Sequence, residues 1–150
     1  MSEERGGRLL LLGAGYCARG LAKDLLARGW EVRGTTRTSA GADALAALGI
    51  EPFLFDAERP LDLRAWEGVS HLLASVPPSA EGDPALELVR RHQPRLAWLG
   101  YLSSTGVYGD HAGAWVDEES ELRPAGSERP RRRQEAEASW RRLSQPWHVF

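Results

Sequence analysis

Three small residues near the start of the chain have the spacing of a dinucleotide-binding turn. Gly13, Gly15 and Ala18 form a Gly-x-Gly-x-x-Ala pattern directly after four consecutive leucines. In such a turn the first glycine allows a sharp change of direction and the second lets phosphates approach the backbone. The third small residue allows the following helix to pack closely on the strand. The pattern predicts a diphosphate-binding turn, although many α/β proteins use similar residues in a purely structural turn.

Tyr16 and Cys17 lie inside this turn. The unpaired N–H groups of a helix start face outward at this point and can bind an anion. We therefore expect both residues to contact a cofactor through their backbone. Cys17 is the only cysteine, which excludes an internal disulfide and a cysteine-rich metal site in this chain.

Thr36 and Arg37 end the second predicted strand. An acidic residue at this position holds a ribose 2′-hydroxyl, whereas an arginine accommodates a 2′-phosphate. The pair therefore favours NADP over NAD as the cofactor, with NAD as the alternative. An arginine at a strand end is also an ordinary solvent-facing residue.

Two further segments extend the candidate cofactor site. Asp56 ends the third predicted strand, where it would either accept a hydrogen bond from an adenine amino group or cap the next segment. Ser75, Val76 and Pro77 follow the fourth strand, at the edge where open α/β sheets bind ligands. We predict that all four residues contact the cofactor.

Strand and helix patterns alternate along almost the whole chain, which predicts a doubly wound, Rossmann-type α/β fold with a parallel sheet. We assign residues 1–150 to one such domain. Asp83 is the expected N-cap of one helix, and Arg131–Glu135 and Arg133–Glu137 are expected ion pairs within another. The strands are predicted at 8–12, 30–36, 51–56, 69–75 and 95–103, and helical segments at 39–48, 61–66, 84–91 and 127–143.

Residues 146–150 have the pattern of a sixth strand that begins but does not finish. We therefore expect a sheet that is incomplete at its C-terminal side. An unpaired apolar edge favours association, so self-association of the chain is a further expectation.

Composition limits the classes of partner. A net charge of −2 gives no electrostatic reason to expect nucleic acid or an anionic membrane surface. The sequence has no long apolar run and no hydrophobic signal segment, so we expect a cytoplasmic protein. The four histidines lack metal-ligand spacing, and no metal site is predicted.

Residues 103–110 carry the most specific motif, Ser-Ser-Thr-Gly-Val-Tyr-Gly-Asp. It resembles the Ser-Ser-x-x-Val-Tyr-Gly segment of the extended short-chain dehydrogenases/reductases, the NAD-dependent epimerase/dehydratase family. The resemblance extends from Arg8 to the end of the chain. It implies that Ser103 lies at the cofactor, that Ser104 hydrogen-bonds a substrate oxygen and that Thr105 supplies a second hydroxyl.

The tyrosine and lysine that exchange a proton in this family are missing. Counting back from Glu137 places Arg129 where the resemblance puts the tyrosine and Arg133 where it puts the lysine. Lys23, the only lysine, lies in the first helix, and no tyrosine has a lysine four residues later. Arg133 can retain the positive charge, but a guanidinium at Arg129 is a poor proton shuttle near neutral pH. The pattern is similar to atypical members of the superfamily.

These observations leave two functional hypotheses. The first is an oxidoreductase or epimerase/dehydratase that acts on a carbonyl, an alcohol or a sugar-nucleotide-like substrate. The second is a non-catalytic NADP(H)-binding sensor or partner-binding module. An S-adenosylmethionine-dependent methyltransferase is disfavoured because such enzymes usually have an acidic residue where this chain has Arg37. The resemblance also implies that family members carry a substrate-binding part beyond this chain.

Overall fold

A parallel sheet with helices on both faces forms the molecule. The computed structural model describes residues 6–56, 58–123, 127–145 and 147–150. Within them, six strands pair in the order β3-β2-β1-β4-β5-β6, and every pairing is parallel. The predicted doubly wound, Rossmann-type fold is therefore confirmed.

Most elements are shorter than the sequence patterns suggest, mainly because strand ends turn into the connecting loops. The strands are β1 (Arg8–Leu12), β2 (Glu31–Thr36), β3 (Glu51–Leu54), β4 (His71–Ala74), β5 (Trp98–Tyr101) and β6 (His148–Val149). The α-helices are α1 (Tyr16–Ala27), α2 (Ser39–Ala46), α3 (Pro84–His92) and α4 (Glu128–Trp140). Two short 3₁₀ helices span Leu63–Trp66 and Thr105–Tyr108.

The leucines of β1 are buried on both faces of the sheet. Leu9 and Leu11 pack in the cluster that includes α1 and α2, whereas Leu10 and Leu12 pack in the cluster that includes α3 and α4. A central parallel strand covered on both faces is expected to be continuously apolar. This burial fixes the position at which β1 delivers the chain to the glycine turn.

Asp83 caps α3 as predicted. Its Oδ1 accepts hydrogen bonds from the backbone N–H groups of Ala85 (2.9 Å) and Leu86 (3.2 Å), and Pro84 occupies the first helical position. Such a cap satisfies backbone donors that have no partner within the helix. The helix continues one residue beyond the predicted end.

One of the two ion pairs predicted on α4 is present. Arg131 Nε lies 3.8 Å from Glu135 Oε1. The predicted Arg133–Glu137 pair is wrong, because both side chains turn toward the sheet. Arg133 donates hydrogen bonds to groups on and beyond β5, and the buried Glu137 carboxylate accepts one from the Ser103 hydroxyl.

The sixth strand is present but short. His148 and Val149 pair with Gly100 and Tyr101 of β5. β5 therefore has a neighbour that pairs over only two residues. Pro146, where the predicted strand begins, lies outside the described residues, and self-association stays a prediction that light scattering can test.

Candidate functional site

The turn between β1 and α1 has the geometry that the glycine pattern predicts. Gly13 has a φ of +91°, which L side chains rarely adopt. A Cβ on Gly13 would lie 2.9 Å from Ser75 Oγ and 3.0 Å from the Val76 backbone nitrogen. In contrast, a Cβ on Gly15 would meet nothing within 4 Å. Gly13 is thus required by the fold, whereas Gly15 keeps open the space in front of the helix.

Neighbouring strands hold this turn from two sides. On the β2 side, Thr35 Oγ1 accepts a hydrogen bond from Gly13 N–H (2.8 Å), and the Thr35 carbonyl accepts one from Ala14 N–H (3.2 Å). On the β4 side, Ser75 Oγ donates to the Gly13 carbonyl over 2.5 Å. The sequence analysis missed Thr35. A hydroxyl at a buried position of β2 is its only signal.

The start of α1 is open to an anion. No side chain among the described residues caps Gly15, and the first turn contains no acidic residue. The N–H groups at the start of a helix have no partner within it, and they carry partial positive charge. Arg19 brings its guanidinium close to this helix start, because its Nε donates a hydrogen bond to the Ala14 carbonyl over 2.8 Å. Tyr16 and Cys17 are exposed beside these amides, and Ala18 is buried against the sheet as expected.

The end of β2 presents the predicted polar residues. Thr36 is the last residue of β2, and the exposed Arg37 follows it. Thr38 then caps α2, since its Oγ1 accepts a hydrogen bond from Gly41 N–H at 3.0 Å. Arg37 forms no ion pair with another described residue and is available to a ligand.

Asp56 caps the segment that follows it. Its Oδ1 accepts hydrogen bonds from the backbone N–H groups of Glu58 (2.9 Å) and Arg59 (2.8 Å). This is the second of the two roles considered for Asp56. The other carboxylate oxygen takes no part in these bonds.

A cavity of about 470 Å³, here called the Ser104 cavity, opens beyond the ends of β4 and β5. Ser104, Arg129 and Arg133 all line it, so the structure brings together three of the residues singled out by the resemblance. Thr105 is exposed at the start of a 3₁₀ helix and is not in the lining. The lining residues are Pro77, Pro78, Ser104, Arg129, Pro130, Arg132 and Arg133.

Arg133 reaches from this cavity into the protein. Its Nη1 donates to the hydroxyl of Tyr101 (3.0 Å) and to the carbonyl of Leu102 (3.1 Å). Tyr101 is 1% exposed, and burial raises its pKa to about 12 although Arg133 opposes the rise. A phenol that is buried and firmly protonated cannot exchange a proton with a substrate. Tyr101 therefore does not replace the missing tyrosine.

Ser103 also faces the interior, where its hydroxyl donates to the Glu137 carboxylate. Its N–H donates to the Phe150 carbonyl over 2.8 Å, which continues the pairing of β5 and β6. The neighbouring Ser104 is exposed, and its Oγ accepts a hydrogen bond from Gly106 N–H at 3.2 Å. Of the two serines, only Ser104 points its hydroxyl toward a ligand space.

The described ranges hold neither a metal-binding cluster of side chains nor a helix that could span a membrane. No three His, Cys, Asp or Glu side chains there come together in a group able to hold a metal ion. None of the helices there has both the length and the apolar character needed to cross a bilayer.

Known proteins match most of this chain in sequence or in fold. Protein YeeZ from Escherichia coli K12 is 33% identical over 119 residues, which is 71% of this chain and 43% of that protein. A functionally unknown conserved protein from Silicibacter pomeroyi matches with a TM-score of 0.84 and 43% identity, over 96% of this chain and 51% of the other. No family model matches the chain.

One solved structure that contains a bound cofactor shares this fold. UDP-glucuronic acid 4-epimerase from Bacillus cereus, solved in complex with NAD, matches with a TM-score of 0.74 and 16% identity, over 95% of this chain and 54% of the other. A putative NAD-dependent epimerase/dehydratase from Bacillus halodurans has the same fold, with a TM-score of 0.66 and 18% identity over 96% of this chain and 69% of the other. The predicted resemblance is confirmed at the level of this epimerase/dehydratase fold. The chain spans about half the length of YeeZ and of the UDP-glucuronic acid 4-epimerase, 43% and 54% respectively.

Proposed function

We propose that this chain binds NADP(H) as the nucleotide-binding part of a reductase or epimerase/dehydratase. The observation that carries the proposal is the glycine turn, which Thr35 and Ser75 hold in place while the start of α1 stays uncapped. A purely structural turn has no need for open space at Gly15 or for a helix start without a capping side chain.

The diphosphate would lie against the backbone of Gly15, Tyr16, Cys17 and Ala18, where helix amides supply donors. Arg19 lies close enough to add positive charge, since it is bonded to the Ala14 carbonyl.

The ribose and nicotinamide ends would lie on either side of this turn. Thr36 and Arg37 would receive the adenosine 2′-phosphate, and a guanidinium pairs well with a phosphate in two-point contact. Asp56 would contact the adenine through its second oxygen. Ser75, Val76 and Pro77 would line the path toward the nicotinamide, whereas Ser103 is engaged with Glu137 in the interior.

The bound cofactor would supply or accept a hydride at the Ser104 cavity. Ser104 would donate a hydrogen bond to the carbonyl or alcohol oxygen of a substrate. Arg133 would hold a positive charge beneath this oxygen. Polarising groups aimed at developing negative charge are a general means of lowering a reaction barrier.

A non-catalytic nucleotide-binding module is the second candidate. It is favoured by Arg129, which lines the cavity where the resemblance places the proton-exchanging tyrosine. The burial of Tyr101 adds to this, because it keeps that tyrosine away from a substrate.

Calorimetric titration with NADPH and NADH tests cofactor binding. We expect NADPH to bind at least about tenfold more tightly than NADH, a difference of about 1.4 kcal/mol. Arg37→Ala should remove most of this preference, whereas Arg142→Ala, at an exposed position after α4, should leave it unchanged. If neither dinucleotide binds, the proposal is wrong.

Turnover separates the two candidates. NADPH oxidation is to be followed over a panel of aldehydes, ketones and sugar nucleotides. Oxidation that depends on substrate supports the enzyme, and loss of that rate in Ser104→Ala assigns it to the Ser104 cavity. Tight NADPH binding with no turnover over the panel supports the binding module.

A further inference from the structure

We propose that the Ser104 cavity binds an oxyanion, the carboxylate or phosphate of a small substrate, and that Arg129 is its main ligand. The inference deepens the proposed function, because it names the class of substrate that the same site would accept. It also gives Arg129 a role in place of the proton transfer for which a guanidinium is unsuited.

The charge of the cavity points to an anion. Its lining contains three arginines, three prolines and one serine, and no carboxylate. Arg129, Arg132 and Arg133 lie within the first two turns of α4. Like charges at such spacing repel each other, and a bound anion relieves this repulsion.

The three arginines differ in the hydrogen bonds and ion pairs that they already form within the protein. Arg132 pairs with the Glu128 carboxylate on the same helix, and Arg133 donates to Tyr101 and Leu102. Arg129 is exposed and has no hydrogen bond or ion pair with any other described residue. Its planar guanidinium can therefore offer two parallel N–H donors, which match the two oxygens of a carboxylate or phosphate.

Ser104 supplies the second contact. Its oxygen already accepts a hydrogen bond from Gly106 N–H, so the hydroxyl proton is left to donate outward. An anion held by Arg129 would bring the neighbouring carbonyl or alcohol of the same molecule toward this hydroxyl.

The walls and size of the cavity suit a small molecule. Pro77, Pro78 and Pro130 form rigid apolar walls without backbone N–H donors, so the arginines and Ser104 would supply the contacts to the anion. A volume of about 470 Å³ lies within the range of roughly 300–1,000 Å³ that is typical of small-molecule sites. The substrate class is thus a small acid or phosphate ester that also carries a carbonyl or alcohol.

Nuclear magnetic resonance titrations of the unliganded chain test this without relying on the cofactor. The probes are inorganic phosphate, acetate and the neutral analogue acetamide, at constant ionic strength. We expect phosphate and acetate to shift the backbone signals of Ser104, Gly106 and the first turn of α4, and acetamide to shift none of them.

Four variants locate the binding. Arg129→Ala should weaken phosphate binding at this cavity about tenfold or more, because a charge-assisted contact is lost. Arg129→Lys should retain part of it, because a point charge replaces the two-point donor. Arg142→Ala, the control on an exposed arginine after α4, should match the parent. Arg37→Ala reports on phosphate that binds at the cofactor site instead.

The outcomes are distinct from those of the NADPH titration. Phosphate shifts at Ser104 that disappear in Arg129→Ala support the inference even if the chain fails to bind NADPH, and in that case the proposed function fails alone. Phosphate shifts confined to the glycine turn, or confined to the end of β2 and lost in Arg37→Ala, overturn the inference. Equal anion affinity in Arg129→Ala and the parent also overturns it.

Discussion

The hydroxyl oxygen of Ser75 lies 2.5 Å from the carbonyl oxygen of Gly13, to which it donates a hydrogen bond. These residues are 62 positions apart in the chain and meet because β1 and β4 pair in parallel. Thr35 accepts from Gly13 N–H on the opposite side. Both hydrogen-bonding groups of one glycine are thus held by side chains from the two adjacent strands, and the turn is fixed before any ligand arrives.

Ser75→Ala should loosen the turn. We expect a loss of about 1 kcal/mol in the free energy of unfolding, the usual net value of one such hydrogen bond, and a several-fold loss in NADPH affinity. Urea denaturation and calorimetry measure the two effects. Ser144→Ala, at an exposed position beyond α4, is the control. If Ser75→Ala keeps both the stability and the NADPH affinity of the parent, the hydrogen bond does not organise the turn.

Gly13→Ala should damage the fold. The φ of +91° and a Cβ only 2.9 Å from Ser75 Oγ make the substitution strained in two independent ways. We expect a cost of at least about 1–2 kcal/mol, the usual penalty for a left-handed L residue. Thermal and urea denaturation measure this cost, and a variant as stable as the parent would show that the turn adopts another conformation.

Gly15→Ala should instead damage binding while the fold persists. Its φ of −78° suits an alanine, and the added Cβ meets nothing within 4 Å. The loss of stability should stay below about 1 kcal/mol, because alanine is only a poorer N-cap than glycine. NADPH affinity should fall about tenfold or more, since the Cβ occupies the approach to the helix amides. Unchanged affinity would place the diphosphate elsewhere.

Tyr101 should keep its proton in strongly alkaline solution. Burial raises its pKa from 10.0 to about 12 in the folded protein. Between these values the folded chain retains a proton that the unfolded chain releases, so this residue's contribution to stability falls as the pH rises from 10 to 12. Tyrosinate absorbance of the parent and Tyr101→Phe should superimpose until the pH approaches about 12. If Tyr101 ionises near pH 10 while circular dichroism shows that the parent protein is still folded, the prediction is wrong.

Trp140→Phe should lower the free energy of unfolding, because it removes a hydrogen bond to the buried Asp83 carboxylate. Burial raises the pKa of Asp83, and hydrogen bonds from Trp140, Leu86 and Ala85 oppose the rise. The bond from Trp140 Nε1 to Asp83 Oδ2 is 2.7 Å long, and its removal should cost about 1–3 kcal/mol near neutral pH.

The pH dependence gives this prediction its sign. The folded pKa of Asp83 lies above its ordinary value of 3.8, so the stability contribution of this carboxyl decreases as the pH rises through its folded pKa. Without the indole donor that pKa should rise further. The deficit of Trp140→Phe, measured by urea denaturation, should therefore be smaller near pH 4 than near pH 7. Trp115→Phe, at a fully exposed position, is the control. A deficit that does not change with pH would contradict the assignment.

The sequence by itself determined the features that depend on neighbours along the chain. The glycine turn, the cap at Asp83 and the alternation of strands and helices follow from residue types within a few positions of one another. Backbone freedom, capping and periodicity act over this short range, which is why they can be predicted from the sequence.

Tertiary structure alone decided which partners those residues meet. Thr35 and Ser75 reach Gly13 only through strand register, and Glu137 binds Ser103 instead of Arg133 because α4 packs its inner face on the sheet. The arginines of the Ser104 cavity likewise face Ser104 only after this packing. The physical reason is that burial outweighs a solvent-exposed i,i+4 ion pair of about 0.2–0.5 kcal/mol, and burial depends on contacts between distant parts of the chain.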